Sequence, residues 1–375
     1  MIILKGITEG NFNPFLAEVS LLKQLLGRSG KVYVSKDSTA CPIGFRGLLT
    51  GQTGAKANKP TVVLDNSDID KLSEGDFVII NANGSVSVVW DATSDTNTVF
   101  PTPACNCNCI MCPQPPQMHD EETFLFAEQL VERLDPANVK RLCVTGGEPT
   151  LLGDRFIKLM RRINKRFPQA SITLLSNGKN FSDFAFTKEF ATIGFKDCLT
   201  CISLHSDLEE LNDKIAGSKG TFHKTTQGLY NLARLRQKVE IRHVVSQLNA
   251  NRLEDFALFL YRNFPFASHV AIMGMEMTGY AKDNIIDVWI DPYDYREKLA
   301  NALNILNRAA VMVSAYNIPL CLLEHKSRQF ARQSISEWKN SYIDACNGCH
   351  VKSSCCGVFT TSENRLSTHI KAIEV

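Results

Sequence analysis

Between residues 99 and 275, short apolar runs rich in β-branched residues alternate with longer stretches of helical spacing. That alternation limits the fold more than any other feature of the chain. The runs at 141–145, 171–176, 199–204, 239–245 and 269–273 read as strands. Between two of them, 156–167 reads as a helix, because Phe156, Leu159, Met160, Ile163 and Phe167 fall on one stripe. Strands that alternate with helices pair in parallel and carry the helices outside, in an open sheet or one rolled into a barrel. The expected fold class is therefore α/β. In such sheets the residues that do chemistry collect at the C-terminal ends of the strands.

The flanking parts have a different character. In residues 1–98, two β-branched runs meet at Asn83-Gly84 and predict a tight hairpin. Leu16, Val19, Leu22, Leu25 and Leu26 predict a helix over 16–26, so this part reads as a small α+β domain. A polar run from Asp91 suits a linker. Residues 276–375 form a C-terminal extension with a long helical stretch over 293–316 and then a group of cysteines. The division predicted is 1–98, 99–275 and 276–375.

Forty-one Lys and Arg against 39 Asp and Glu leave a net charge of +2, so nothing points to nucleic acid or a membrane surface as a partner. No window reaches the ~18 apolar residues of a membrane span. The first residues lack the features of a secretion signal, and a cytoplasmic location is expected. In a reducing compartment, thirteen cysteines speak for metal or redox chemistry rather than disulfides.

The first cysteine group is Cys105-x3-Cys109-x2-Cys112. Thiolates this close repel one another and need a cation between them. Taken alone, the group also fits zinc. Three ligands on a four-iron cluster leave one iron open for a substrate or cofactor. Cys107 breaks the spacing and reads as a non-ligand, while Cys143, Cys198 and Cys201 lie in apolar runs and read as buried side chains. Further along, Cys143-Val-Thr-Gly-Gly-Glu-Pro, Leu175-Ser-Asn-Gly and Ser203-Leu-His each end a predicted strand. Gly146 and Gly147 allow a close backbone approach to a ligand. Ser176, Asn177, Ser203 and His205 supply hydrogen-bonding groups at those ends.

This ordered set resembles the radical S-adenosylmethionine (radical SAM) superfamily over residues 99–275. The resemblance implies a partial (β/α)6 barrel of the TIM type. It also implies a [4Fe-4S] cluster on Cys105, Cys109 and Cys112, with S-adenosylmethionine bound to the open iron. Electron transfer from the cluster then gives a 5′-deoxyadenosyl radical that takes hydrogen from the substrate. By the same resemblance the Gly146-Gly147 turn and Glu148 contact the methionine amino group, and Arg242 is the candidate for its carboxylate. Ser176, Asn177, Ser203 and His205 fall around the ribose or the substrate. The family places an aromatic residue beside the adenine where this chain has Met111, whose flexible thioether can cover the same face.

The second group is Cys346-x2-Cys349-x5-Cys355, with Cys356 adjacent and Cys321 upstream as a fourth thiolate. Four ligands close a site, which then holds either an auxiliary [4Fe-4S] cluster or a structural zinc. The spacing resembles the C-terminal extensions of radical SAM enzymes that modify ribosomally made peptides, which favours the cluster. His350 reads as a surface histidine.

Cys109-Ile-Met-Cys-Pro-Gln-Pro-Pro, Met273-Gly-Met-Glu-Met-Thr-Gly-Tyr, Ile318-Pro-Leu-Cys-Leu-Leu and the second cysteine run together resemble the C-type maturases of the His-Xaa-Ser system. Gly44-Phe-Arg-Gly-Leu-Leu-Thr-Gly fits the same assignment. The resemblance implies a precursor peptide or small protein as substrate, an electron donor, and a second radical SAM protein in the same system. The N-terminal domain would hold a leader segment by strand addition, or would simply cover one end of the barrel. Two other readings compete: a radical SAM enzyme acting on a small molecule or nucleobase, and a non-enzymatic zinc scaffold.

Overall fold

The computed structural model describes residues 2–23, 29–54, 59–334, 339–362 and 365–374. The chain divides into two compact units. The first comprises Met1–Pro101, Asp120–Val144 and Lys165–Ala170; the second comprises Thr102–His119, Thr145–Asn164 and Ser171–Val375.

Seven short strands close into a barrel in the first unit: β1 (Ile2–Glu9), β2 (Phe15–Ser20), β3 (Lys31–Ser35), β4 (Gly47–Thr50), β5 (Thr61–Leu64), β6 (Phe77–Ile80) and β7 (Ser85–Trp90). Their order around the barrel is β1-β5-β4-β3-β2-β6-β7. Ala17, Val19, Val32, Leu49, Val62 and Val78 fill its core with no exposed surface. The hairpin predicted at Asn83-Gly84 is present as β6 and β7, paired antiparallel. The helix predicted over 16–26 is not formed: Phe15–Ser20 is strand β2, hydrogen-bonded on both sides. Leu25 and Leu26 lie outside the described residues. Strand β2 is buried at Phe15, Leu16, Ala17, Val19 and Ser20, so the period-2 alternation that would betray a strand is lost. Closure also removes free edges, so strand addition to this barrel has no edge to use.

A helix, Glu121–Arg133, completes the unit. Asp120 caps it by accepting the Thr123 N–H. At its other end the Arg133 guanidinium donates to the Leu16 and Gly30 carbonyls at 3.0 and 2.8 Å. Two strands, β8 (Asn97–Val99) and β9 (Arg141–Val144), pair in parallel.

The second unit contains six parallel strands in sequence order: β10 (Ser171–Ser176), β11 (Cys198–Ser203), β12 (Lys238–Val244), β13 (His269–Met273), β14 (Val313–Tyr316) and β15 (Ala331–Arg332). Helices follow the first four, the α/β alternation expected of a partial barrel; β14 and β15 lie beyond the predicted bound of 275 and no α-helix follows them among the described residues. Helices follow the strands at Phe184–Ala191, Glu209–Ala216, Thr221–Arg234, Leu253–Asn263 and Arg296–Arg308. In the helix Asp154–Arg166 the predicted stripe of Phe156, Leu159, Met160 and Ile163 is fully buried. Phe156 packs face to face with Phe190, ring centres 6.0 Å apart. The stretch predicted as one helix over 293–316 is two elements. The helix stops at Arg308, Ala310 takes a left-handed backbone (φ 58°), and β14 follows. A non-glycine residue in that conformation reverses the chain and ends the helix. Beyond β15 the described residues form short turns and a small antiparallel pair, β16 (Asn340–Ser341) with β17 (Val358–Phe359). Among the described residues no helix is long and apolar enough to cross a membrane.

Candidate active site

The first cysteine group lies on a loop whose own backbone is held at three places, all in the second unit. Gly147 and Glu148 donate their N–H groups to the Thr102 and Ala104 carbonyls at 2.8 and 2.7 Å. A Cβ on Gly147 would stand 2.2 Å from the Ala104 carbonyl oxygen, so no side chain fits there. The close approach that the two glycines permit is thus to the cysteine loop, where the sequence suggested a ligand.

The second hold is a helix end. Asn108 and Ile110 donate to the Ala216 and Ile215 carbonyls, each at 3.0 Å, satisfying acceptors that a helix C-terminus otherwise leaves open. Gly217 (φ 57°) caps that helix in the left-handed conformation, and a Cβ there would collide with Asn108. Thirdly, Tyr280 N–H donates to Cys112 O at 2.9 Å, and Asn284 Nδ2 to Ile110 O at 2.9 Å. Nothing short-range in the sequence marks Ala216 or Asn284. A Gly after a helical run was the one available signal.

Around this loop the predicted residues take different positions. Glu148 is fully buried; its Oε1 accepts from Thr150 N, Thr150 Oγ1 and Ser176 Oγ, and its Oε2 from Asn177 N. Burial raises its pKa against the lowering effect of those donors. Among the described residues it has no cationic partner. Ser176 and Asn177 are therefore committed to the scaffold: Asn177 Nδ2 donates to Asn106 Oδ1 at 2.7 Å and reaches Cys107 Sγ at 3.5 Å. His205 is buried, with Nε2 4.0 Å from Cys109 Sγ and no partner for Nδ1 among the described residues. Burial lowers its pKa to about 4, so it is neutral at physiological pH. Met111 packs with Ile215, Met277 and Ala281 in an apolar cluster that Val244 and Trp289 border.

Ser203 ends β11, paired in register with Arg242 on β12. Arg242 Nε donates to Glu240 Oε1, and Glu240 Oε2 lies 2.7 Å from His269 Nδ1. His269 Nε2 in turn meets Ser314 Oγ at 2.9 Å. Burial raises the Glu240 pKa, but His269 and Arg242 outweigh it and hold the carboxyl down to about 2. This chain of contacts, absent from the sequence reading, orients Arg242. Glu276, in the segment after β13, forms an ion pair with Lys339 at 2.6 Å.

The surroundings fit a cluster on the first group. Cys105, Cys109 and Cys112 are half-buried on one loop. The Cys105 thiol is pushed up, first by its hydrogen bond with Cys107 and then by burial; burial pushes Cys112 up as well. A metal that binds there must displace those protons. Among the described residues no three His, Cys, Asp or Glu side chains converge on a single metal ion. A four-iron cube is wider than one ion and spaces its thiolates farther apart.

In the second group, Cys321, Cys346, Cys349 and Cys355 line one pocket together with Tyr342 and Lys371. Cys355 Sγ accepts from the Leu320 and Gly357 N–H groups, each at 3.4 Å, and Cys349 Sγ from Ile373 N–H at 3.4 Å. Its hydrogen bond with Cys356, opposed by burial and helped by those N–H groups, lowers the Cys355 pKa to about 6. The same bond and burial push Cys356 up. Cys355, which lines the pocket and accepts the two N–H groups, is thus better placed than Cys356 to act as the thiolate. Cys198 and Cys201 are buried as expected and Cys143 is partly exposed; all thirteen cysteines are free of disulfides.

Residues 99–260 match the model of the Radical SAM superfamily. No curated protein matches the chain in sequence. Among solved structures, SuiB from Streptococcus suis bound to S-adenosylmethionine aligns with a TM-score of 0.47 and 17% identity, over 58% of this chain and 49% of that one. The structure of anSMEcpe with bound AdoMet and a peptide gives a TM-score of 0.45 and 18% identity, over 58% and 63%. The radical S-adenosylmethionine methyltransferase TsrM from Kitasatospora setae gives 0.36 and 12%, over 47% and 36%. This chain thus spans about half of SuiB and less than two thirds of the others. The match to the Radical SAM superfamily over residues 99–260 takes in the cysteine loop, the strand-end turns and the parallel strands β10 to β12.

Proposed function

We propose that the chain is a radical SAM maturase that modifies a ribosomally made precursor peptide or small protein, in a system of the His-Xaa-Ser type. The observation that carries the radical SAM reading is the pairing of a three-cysteine loop with Glu148, a buried carboxylate with no cation beside it among the described residues. Burial raises the Glu148 pKa even with four donors on the carboxylate, so its ionised form is left without full compensation. The methionine ammonium of S-adenosylmethionine is a cation of the right chemistry to offset that.

Cys105, Cys109 and Cys112 would hold the [4Fe-4S] cluster, which when bound supplies one electron to cleave S-adenosylmethionine to a 5′-deoxyadenosyl radical. The protein's own part is positioning. Glu148 would receive the ammonium, with Ser176 and Asn177 keeping that carboxylate in place. Arg242, steadied through Glu240, would supply the cation for the cofactor's carboxylate. Met111 and its neighbours Ile215 and Val244 offer an apolar wall for the adenine and exclude water. His205 stays neutral and presents an unpartnered Nδ1, able to accept or donate one hydrogen bond as its tautomer dictates.

Cys321, Cys346, Cys349 and Cys355 would hold an auxiliary [4Fe-4S] cluster. The N–H···S contacts on Cys349 and Cys355 support a thiolate site, and the closed set of four leaves no open position. The peptide substrate rests on the sequence resemblance and on this extension. The direct test is mass spectrometry of a candidate precursor peptide after anaerobic incubation with reconstituted protein, a reductant and S-adenosylmethionine. A mass change that requires S-adenosylmethionine supports a maturase. Turnover of S-adenosylmethionine that is stimulated by a small molecule or nucleobase and by no peptide would replace this reading with the small-molecule one.

A further inference from the structure

Lys179 follows Asn177-Gly178 at the end of β10, and its side chain turns inward to the cysteine loop. The residue is 8% exposed. Its Nζ donates to Asn106 O at 3.0 Å and to Ser218 Oγ at 2.8 Å, and lies 3.9 Å from Cys107 Sγ. All three partners are neutral acceptors. Among the described residues no carboxylate comes within ion-pair distance of it. Cys107 is itself buried (4% exposed) and sits two residues from both Cys105 and Cys109.

A lysine at this depth usually either snorkels its ammonium to water or meets an anion. Lys179 does neither. An uncompensated buried charge is costly, and the cost is removed when an anion arrives. Glu148 is the mirror case, a buried anion without a cation, and the two do not pair with each other. Each therefore waits on something the loop will hold. For Lys179 the required partner is anionic, close to Cys105 and Cys109, and enclosed. Three thiolates with a sulfide-bridged iron cluster meet that description.

We propose that Lys179 is the built-in counter-cation of the cluster on Cys105, Cys109 and Cys112, and that its charge raises the reduction potential of that cluster. This rests on the radical SAM reading above. One-electron reduction by an external donor adds a negative charge at the cluster, and a fixed positive charge in a low-dielectric site favours the more negative state. The part played by Lys179 is positional and electrostatic; it touches neither the substrate nor the reacting bond. A merely structural lysine, needed only to tie Asn106 to Ser218, would be replaced adequately by a neutral donor.

The test is an anaerobic redox titration of the reconstituted full chain, read by electron paramagnetic resonance of the reduced cluster, for the native protein and the variants Lys179→Gln, Lys179→Met and Lys179→Arg. A Cys321→Ala, Cys346→Ala double variant as background removes signal from the second group. The neutral variants should lower the reduced-to-oxidised ratio at a fixed poise by about tenfold, equivalent to about 59 mV for one electron. Lys179→Arg should stay within about threefold of native. Neutral variants that load no cluster while Lys179→Arg loads it would also support the charge role. An unchanged midpoint in Lys179→Gln, or failure of all three variants to load a cluster, would overturn it. Failure of the native protein to take up iron and sulfide would instead overturn the radical SAM reading.

Discussion

The two cysteine groups use the same side chain in opposite ways. The first is strung on a loop fastened through its backbone to a strand end, a helix end and the Tyr280–Asn284 segment. Around its thiols, among the described residues, lie a hydrogen-bonded Glu148 with no cation beside it, a hydrogen-bonded Lys179 with no anion beside it, and a His205 whose Nδ1 has no partner. The second sits among short turns, where Cys355 and Cys349 accept three backbone N–H groups, from Leu320, Gly357 and Ile373, against the one, from Cys107, that Cys105 accepts in the first group among the described residues. The contrast teaches that ligand count is reinforced by surroundings. A site meant to receive a further molecule keeps charged groups in reserve, whereas a closed one satisfies its sulfurs from the backbone.

This contrast can be broken most decisively by removing one set of thiols at a time. Replacing Cys105, Cys109 and Cys112 by Ala should cut S-adenosylmethionine cleavage by more than about 1,000-fold, with the metal of the second group retained when iron is measured after reconstitution. Loss of all iron would show that the groups are not independent.

The next largest effect lies in the second group. Cys355→Ala should lose its metal and lower stability by several kcal/mol, on the order of a structural metal's contribution, whereas Cys356→Ala should keep the metal and lose about 1 kcal/mol or less. Equal metal content in the two variants would undo the assignment of Cys355 as the ligand.

Glu148→Gln sharpens the other side. Removing the buried negative charge should weaken S-adenosylmethionine binding by about 10–100-fold, as for one charged hydrogen bond, with cluster content unchanged. Calorimetry on the loaded protein measures this.

A smaller effect concerns the support of Arg242. The folded Glu240 carboxyl is held at about 2, below its ordinary value of 4.5. Its contribution is therefore fully present above pH ~4.5 and lost as the pH falls toward 2; the sign is that of a depressed acid. Glu240→Gln should lose stability at neutral pH yet show a flatter acid limb by up to about 3 kcal/mol. Parallel acid limbs in urea titrations from pH 7 to 3 would contradict it.

Much of the second unit was legible in the sequence because its strands are short, apolar and separated by strongly periodic helices. Runs 171–176 and 269–273 are strands end to end. Legibility failed where burial is continuous, as in β2, whose leucine and valine spacing imitates a helix, and where one left-handed residue, Ala310, splits a helical pattern. At the site, the residue types at the strand ends were readable, but their partners were not. That Ser176 and Asn177 serve Glu148 and the loop, that Glu276 pairs with Lys339, and that Ile373 reaches Cys349 depend on contacts 24 to 71 residues apart along the chain. No local pattern encodes those. Lys179 was missed because a lysine after Asn-Gly reads as a solvated turn residue; only its depth gives it away.

The central claim is that the first cysteine group supports reductive cleavage of S-adenosylmethionine. Its most direct test is the formation of 5′-deoxyadenosine by anaerobically reconstituted, reduced protein given S-adenosylmethionine. The account predicts product from the native chain, with or without stimulation by a partner peptide, and none from the triple Cys→Ala variant. A native protein that holds a reducible cluster on Cys105, Cys109 and Cys112, binds S-adenosylmethionine, and yields no 5′-deoxyadenosine with any candidate peptide, small molecule or nucleobase would contradict it.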